Sequence, residues 1–298
     1  MGYYHFQLDE SLSEMTTFML PWGLYKYKRL PMGLNLSPDY FHEKLSRLFL
    51  DMSFVCVYID DILIFSNGTF EDHTTMVAQV LQRLKDKNLA VSALKSFWAV
   101  EEVDYLGFRL KPEGVKPQPR KVKAITKIEA PRTKKQLRHF IGLVNYYRFM
   151  WKKRSHLSAP LSEMKGKTKT FEWTEECERA FKEMKKIVSQ EVMLSFPDYT
   201  KRFQLYTDAS DLQLGAVLMQ GNKTLAFFSK KLNQAQRKYG VREKEFLKEF
   251  RTMLKGYPID VYLDHKNWRH DKKFRNDRVM RWRLAFDSGN DSPMSVQR

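Results

Sequence analysis

Residues 54–66 read FVCVYIDDILIFS, and this stretch narrows the folds open to the chain more than any other. Six apolar or aromatic residues, Phe54 to Ile59, and four more, Ile62 to Phe65, flank two adjacent carboxylates, Asp60 and Asp61. The β-branched and aromatic content of both runs predicts two short strands, with the acidic pair at or near the turn of a hairpin. Turn chemistry alone does not account for the pair, because tight hairpin turns favour Asn-Gly or Asp-Gly and no glycine is present here. Two like charges about 4 Å apart repel by roughly 4 kcal/mol at an effective dielectric near 20, and apolar walls add to that. A divalent cation is the simplest remedy, since Mg²⁺ is commonly held by one or two carboxylates with substrate phosphates completing its shell. Read from Tyr58 to Asp61 alone, a solvated surface turn is an equal alternative.

A chain of 298 residues has room for two or three domains, and with 43% hydrophobic residues it can bury real cores. Its 52 Lys and Arg against 35 Asp and Glu leave a formal charge of +17, which points to a polyanionic partner, nucleic acid before an anionic membrane surface. Two cysteines, Cys56 and Cys177, in unrelated contexts exclude a disulfide scaffold and a zinc site and fit a reducing compartment. The opening Met-Gly-Tyr-Tyr-His-Phe lacks the basic and apolar regions of a signal peptide, and no apolar run is long enough to span a membrane.

Ser37-Pro38 predicts a helix start with Ser37 as N-cap and Phe41, Leu45, Leu48 and Phe49 on one face. A second helix is predicted from about Phe70 to near Asn88 with Val77, Val80, Leu81 and Leu84 as its stripe. Tyr105 to Leu110 reads as a strand whose Gly107 lets another backbone or a ligand come close. Lys111 to Lys121, with three prolines and a glycine, reads as a linker. Beyond it, Thr133 to Gln136 forms a capping-box pattern opening a helix with the stripe Leu137, Phe140, Ile141, Val144 and Tyr147. Basic residues crowd this helix, Lys134, Lys135 and Arg138 among them. Any one of them is ordinarily a solvated surface charge, but the cluster favours phosphate contact.

A further helix opened by Thr174 buries Ala180, Phe181, Met184 and Val188, and strands follow at Phe203–Thr207, Gly215–Gln220 and Leu225–Ser229. A helix from about Val241 to Leu254 and a strand from Ile259 to Asp264 complete this block. Alternation puts Phe203 and Leu205 on one face and Tyr206 and Asp208 on the other. With Glu245 on the intervening helix and Asp264 at a strand end, three carboxylates could converge on a pair of metal ions, as nucleases arrange them. Acidic residues at strand ends are common, so spacing by itself leaves an ordinary surface role open.

Taken together, GYYHFQLD, RLPMGLNLSPDYF, FVCVYIDDILIFS, DYLGFRL, LRHFIGLVNYYRF, TDASDLQLGAVLMQ, LAFFSKKLNQAQRKY, REKEFLKEF and YLDHKN occur in one order over nearly the whole chain. This series closely resembles the reverse transcriptase and RNase H region of gypsy-type long-terminal-repeat retrotransposon polyproteins. The resemblance implies an α+β fold: a polymerase palm, an antiparallel sheet with helices, over 1–110; a helical thumb and connection over 111–195; and an RNase H-like α/β domain over 196–298. It implies RNA-directed DNA polymerase and ribonuclease H activity by two-metal phosphoryl transfer with Mg²⁺ or Mn²⁺. Asp60 and Asp61 would then be palm metal ligands and Asp208, Glu245 and Asp264 those of the nuclease. Tyr3, Met32, Gly33 and Tyr58 would shape the nucleotide site. Leu106, Gly107 and Phe108 would grip the primer, with Lys134, Lys135 and Arg138 along the duplex.

The partners so implied are an RNA/DNA hybrid, a primer-template and dNTP, with no membrane, in an intracellular setting, a cytoplasmic virus-like particle or the nucleus. The remaining Pol segments, fingers, protease and integrase, are expected alongside. Two departures carry expectations of their own. The family's first palm aspartate and its fingers precede the GYY stretch, whereas this sequence opens at Met1-Gly2; its fourth RNase H carboxylate follows a match to Arg281-Trp282, which here leads into Asp287-Ser288-Gly289-Asn290. Polymerisation by the isolated chain is therefore expected to be severely impaired and RNase H cleavage weak. The alternative reading is a catalytically impaired, nucleic-acid-binding remnant.

Overall fold

The structure is a computed structural model that describes residues 2–152, 157–164, 171–190, 192–209, 213–232, 254, 257–263 and 295–297. Its contacts divide the chain into two compact units, Met1–Val100 and Glu101–Arg298.

In the first unit a short helix α1 (Glu10–Met15), capped by the Asp9 carboxylate accepting from the Leu12 amide, precedes a hairpin of β1 (Phe18–Leu20) and β2 (Gly23–Tyr25). Helix α2 (Ser37–Leu48) begins one residue earlier than its cap pattern predicts. Leu36 occupies the N-cap, and Ser37 is buried with its hydroxyl donating to the Pro31 carbonyl at 2.8 Å. Two antiparallel strands, β3 (Val55–Tyr58) and β4 (Asp61–Ile64), pair Tyr58 with Asp61, and α3 (Phe70–Asp86) follows. Helix α3 opens on a complete capping box: Thr69 accepts from the Asp72 amide while the Asp72 carboxylate accepts from the Thr69 amide at 2.9 Å. Phe41, Leu45 and Phe49 of the α2 segment meet Val80 and Leu84 of α3 in one core, and Val55, Val57, Ile62 and Ile64 of the hairpin pack onto it. The hairpin is thus backed by both helices, and the core leaves Asp60 and Asp61 at its turn uncovered.

The second unit opens with a three-stranded antiparallel sheet, β5 (Val103–Tyr105), β6 (Phe108–Lys111) and β7 (Gly114–Pro117). Two expectations change here. The predicted strand Tyr105 to Leu110 is broken by a two-residue turn, Leu106-Gly107, because both residues take positive φ (47° and 77°). The predicted linker is ordered structure. Gly114 and Pro117 bound a strand, and Pro119 starts α4 (Pro119–Thr126), where a missing amide costs nothing. The prolines and glycine that read as a connector serve as punctuation instead.

Helices α5 (Lys134–Tyr146), α6 (Ala159–Glu163) and α7 (Glu175–Ser189) follow. Leu137, Phe140 and Val144 of α5 are completely or almost completely buried against Leu161, Phe181 and Val188, giving this part a helical core. Among the described residues five strands then form a mixed sheet, ordered Lys223–Lys231, Gln213–Gln220, Phe203–Ala209, Ile259–Leu263, Ser295–Gln297. Strands β8 (Phe203–Ala209), β9 (Gln213–Gln220) and β10 (Lys223–Lys231) form an antiparallel meander. Strand β11 (Ile259–Leu263) joins β8 in parallel, and β12 (Ser295–Gln297) joins β11. Phe203, Leu218, Leu225 and Ile259 fill the core on one side of this sheet. Of the predicted helix from Val241 to Leu254, only Leu254 is among the described residues, buried in this core. Among the described residues no helix is long and apolar enough to cross a membrane.

Candidate nucleic-acid and metal site

The acidic hairpin turns through Ile59 and Asp60 alone. Ile59 has φ 53°, while Asp60 is not among the residues of positive φ, so the first turn position takes a φ that favours glycine. A β-branched residue in the left-handed region costs roughly 1–2 kcal/mol, and the surroundings hold it there. The Ile59 side chain packs onto the hairpin core, and its amide donates to His42 Nδ1 of α2 at 3.1 Å. That contact needs Nδ1 as acceptor, so the ring proton sits on Nε2. His42 is a site neighbour that sequence reasoning missed. Its only signal was a position one residue after Phe41 on the helix behind the hairpin.

The result presents both carboxylates to solvent: Asp60 and Asp61 are exposed. The apolar neighbourhood expected from the sequence lies on one face only, since β3 alternates half-buried Val55 and Val57 with exposed Cys56 and Tyr58. Partial burial still pushes the Asp61 carboxyl above the usual carboxylate range, and the neighbouring Asp60 charge pushes the same way. Two hard oxygen donors carrying mutual repulsion suit a magnesium-class cation that leaves coordination positions for water and phosphate. Among the described residues no three His, Cys, Asp or Glu side chains gather as a metal cluster.

Tyr3, expected at the nucleotide site, feels the charge of the turn. Burial raises its phenol, and Asp60 adds to that. Its ring packs against Phe41 at 4.9 Å. Tyr58 is half exposed, 6.3 Å from His42 between ring centres. Met32 and Gly33 are exposed, and Gly33 takes φ 99° with open space where a side chain would stand.

In the second unit Leu106 and Gly107 form the β5–β6 turn, and Phe108 stacks on Tyr146 at 5.5 Å. Lys135 and Arg138 are exposed on α5, and Lys134 is half-buried in its first turn. The Asp208 backbone is paired with Gly215 near the end of β8. Glu245 and Asp264 lie outside the described residues.

Residues 1–110 match the family described as reverse transcriptase (RNA-dependent DNA polymerase), and residues 173–261 match the RNase H-like domain found in reverse transcriptase. The chain is similar to the retrovirus-related Pol polyprotein from transposon 297 of Drosophila melanogaster, 34% identical over 296 residues, covering 96% of this chain and 28% of that protein. It is also similar to the Pol polyprotein from transposon gypsy of the same fly, 32% identical over 312 residues, covering 97% of this chain and 30% of that protein. A third relative, the transposon Tf2-3 polyprotein of Schizosaccharomyces pombe, is 30% identical over 292 residues, which is 92% of this chain and 22% of that protein. The chain therefore spans less than a third of the length of these relatives.

Among solved structures, the foamy viral protease-reverse transcriptase in complex with RNA/DNA hybrid superimposes with TM-score 0.84 at 23% identity, over 100% of this chain and 43% of that one. The same viral protein in complex with dsDNA gives TM-score 0.81 at 23% identity, over 99% of this chain and 65% of that one. This likeness concerns the fold, an α+β palm and helical thumb followed by an RNase H-like domain.

Proposed function

The chain belongs to the reverse transcriptase and RNase H-like region of long-terminal-repeat retrotransposon Pol polyproteins, and we propose that it acts on RNA/DNA hybrid duplexes as part of an RNA-directed DNA polymerase with ribonuclease H function. The observation that carries this reading is the two-residue turn that lifts Asp60 and Asp61 off a buried core into solvent. Families of both kinds use divalent metals, and Asp60 and Asp61 would hold Mg²⁺ or Mn²⁺ in the polymerase, with Asp208, Glu245 and Asp264 as the nuclease set. The bound cation would supply charge neutralisation for the phosphates.

The protein's own groups do the rest. Ile59 and His42 fix the direction of the acidic turn. Tyr3, Met32, Gly33 and Tyr58 shape the dNTP site, Leu106 to Phe108 bear on the primer strand, and Lys134, Lys135 and Arg138 run along the duplex backbone. The polymerase part is assigned to 1–110, the thumb and connection to 111–195 and the nuclease to 196–298. Fingers, protease and integrase of the longer polyprotein are the expected companions.

The test measures Mn²⁺ binding to the 298-residue chain by water-proton relaxation, together with fluorescence anisotropy on an RNA/DNA hybrid. Asp60→Asn with Asp61→Asn is expected to weaken Mn²⁺ binding at least tenfold, a loss of roughly 1.4 kcal/mol or more, and to leave salt-sensitive hybrid binding intact. Mn²⁺ binding equal to that of the native chain, or a native chain with no affinity for the hybrid, would refute the assignment.

A further inference from the structure

We propose that Tyr146 and Tyr147 form a double latch tying the Leu106-Gly107 turn to the end of α5, so that the turn and the basic face of this helix meet one duplex as a single unit. The inference rests on the hybrid-binding function proposed above. Its starting point is a turn poorly suited to its own sequence. Leu106 and Gly107 both have positive φ, which makes the connection from Tyr105 to Phe108 a type I′ turn. Asn-Gly favours that geometry, and leucine at the first position costs on the order of 1 kcal/mol. Something outside the turn has to hold it.

Two consecutive phenols do so. The Tyr146 hydroxyl donates to the Leu106 carbonyl, and the Tyr147 hydroxyl donates to the Gly107 carbonyl at 2.7 Å. Within a continuous helix, neighbouring side chains diverge by about 100° and could not reach adjacent carbonyls together. Here the helix stops at Tyr146, and Tyr147 leaves helical geometry at φ −97°, ψ 24°. Gly107 is the residue the contact requires: a Cβ there would meet the Tyr146 ring at 3.1 Å and its oxygen at 3.3 Å. Phe108 fills the gap between them, stacked on Tyr146 and edge-on to Tyr147 at 5.2 Å.

The two tyrosines have different surroundings. Tyr147 is only 3% exposed and braced edge-on by Trp151 at 5.8 Å, whereas Tyr146 is 53% exposed. Burial, with Tyr146 adding to it, pushes the Tyr147 phenol up to about 12, so its hydroxyl remains a donor at neutral pH. One latch point is therefore set in the core of the helical part, and the other lies at the surface.

Tyr146→Phe, Tyr147→Phe and the double variant of the full chain remove the hydroxyls and keep the rings. Hydrogen exchange over residues 103–118 of the free chain reads the latch, and anisotropy on a fluorescent RNA/DNA hybrid at several salt concentrations reads its use. In the double variant, exchange in the turn is expected to rise and hybrid binding to weaken, each about tenfold, as the loss of two hydrogen bonds predicts. The slope of log affinity against log salt should stay unchanged, because Lys134, Lys135 and Arg138 remain. Unchanged exchange overturns the latch whether or not the chain binds the hybrid. Faster exchange with native affinity overturns its role in binding. Faster exchange in a chain that never binds the hybrid supports the latch and removes the function it was assigned to. Tyr146→Phe, at an exposed ring, keeps the test open if the Tyr147 variants fail to fold.

Discussion

Gly114→Ala should destabilise the second unit by several kcal/mol, and the size of the loss can be worked from the backbone around it. Gly114 begins β7 at φ 154°, where L side chains are strained, and an added Cβ would stand 2.1 Å from the Leu194 carbonyl oxygen and 2.9 Å from its carbon. Both are main-chain atoms, so no rotamer relieves the clash. Restoring ordinary contact moves Leu194 by more than 1 Å, enough to break the paired bonds in which the Val115 amide donates to Leu194 O at 2.7 Å and the Leu194 amide to Val115 O at 2.9 Å. At about 1 kcal/mol for each bond and about 1–3 kcal/mol for the strained φ, the loss comes to roughly 3–5 kcal/mol. Displacement of the buried Leu194 side chain works in the same direction. Gly142→Ala in α5 is the matched control, since its Cβ meets nothing within 4 Å. Replacing a helical glycine there should stabilise by about 0.5–1 kcal/mol. Urea unfolding followed by tryptophan fluorescence, with Trp151 and Trp173 reporting from the second unit, measures both. A Gly114→Ala loss below about 0.5 kcal/mol, within the range of an ordinary surface change, or two variants shifting in the same direction, would refute the argument.

Thr69→Ala removes the hydroxyl that accepts from the Asp72 amide and donates to the Asp72 carboxylate, while the Thr69 amide still donates to that carboxylate, so the first unit should lose about 1 kcal/mol in denaturant unfolding. No measurable change would mean that solvent caps this helix equally well. Asp198 has its carboxyl lowered to about 2 by Lys201 first and then by the side chain and backbone of Thr200. A depressed carboxyl stabilises the fold above its unfolded value near 3.9 and loses that contribution as pH falls through about 2. The melting temperature of the native chain should therefore fall faster than that of Asp198→Asn between about pH 4 and pH 2, and parallel curves would rule the linkage out.

Where local chemistry and tertiary demand agree, the sequence is transparent. Thr174 accepts from the Cys177 amide at 3.3 Å and α7 buries Ala180, Phe181, Met184 and Val188, as its cap and period indicate. The acidic hairpin is equally legible, because two β-branched runs around Asp60 and Asp61 leave little else. Reading fails where a residue adopts a conformation its type disfavours. Leu106 and Ile59 both take positive φ without announcing a turn, and what holds them, Tyr146 with Tyr147 in one case and His42 in the other, is remote in sequence. The segment from Lys111 to Lys121 misleads for the converse reason. Its glycine and prolines are loop formers by type, yet here they permit the close approach of Leu194 and the start of α4. The site was legible as a set of residue types in a spacing. That both Asp60 and Asp61 face solvent depended on which strand face the helices cover.

The parallel seam between β8 and β11 bears on how the chain is made. Strand β8, which carries Asp208, acquires its first neighbour as soon as β9 leaves the ribosome, but its other flank pairs with Ile259 to Leu263. At about 5–20 residues per second, the interval from Ala209 to Ile259 leaves a row of amides and carbonyls uncovered for seconds. Nascent chains stalled in that interval expose a ready template for strand exchange with one another.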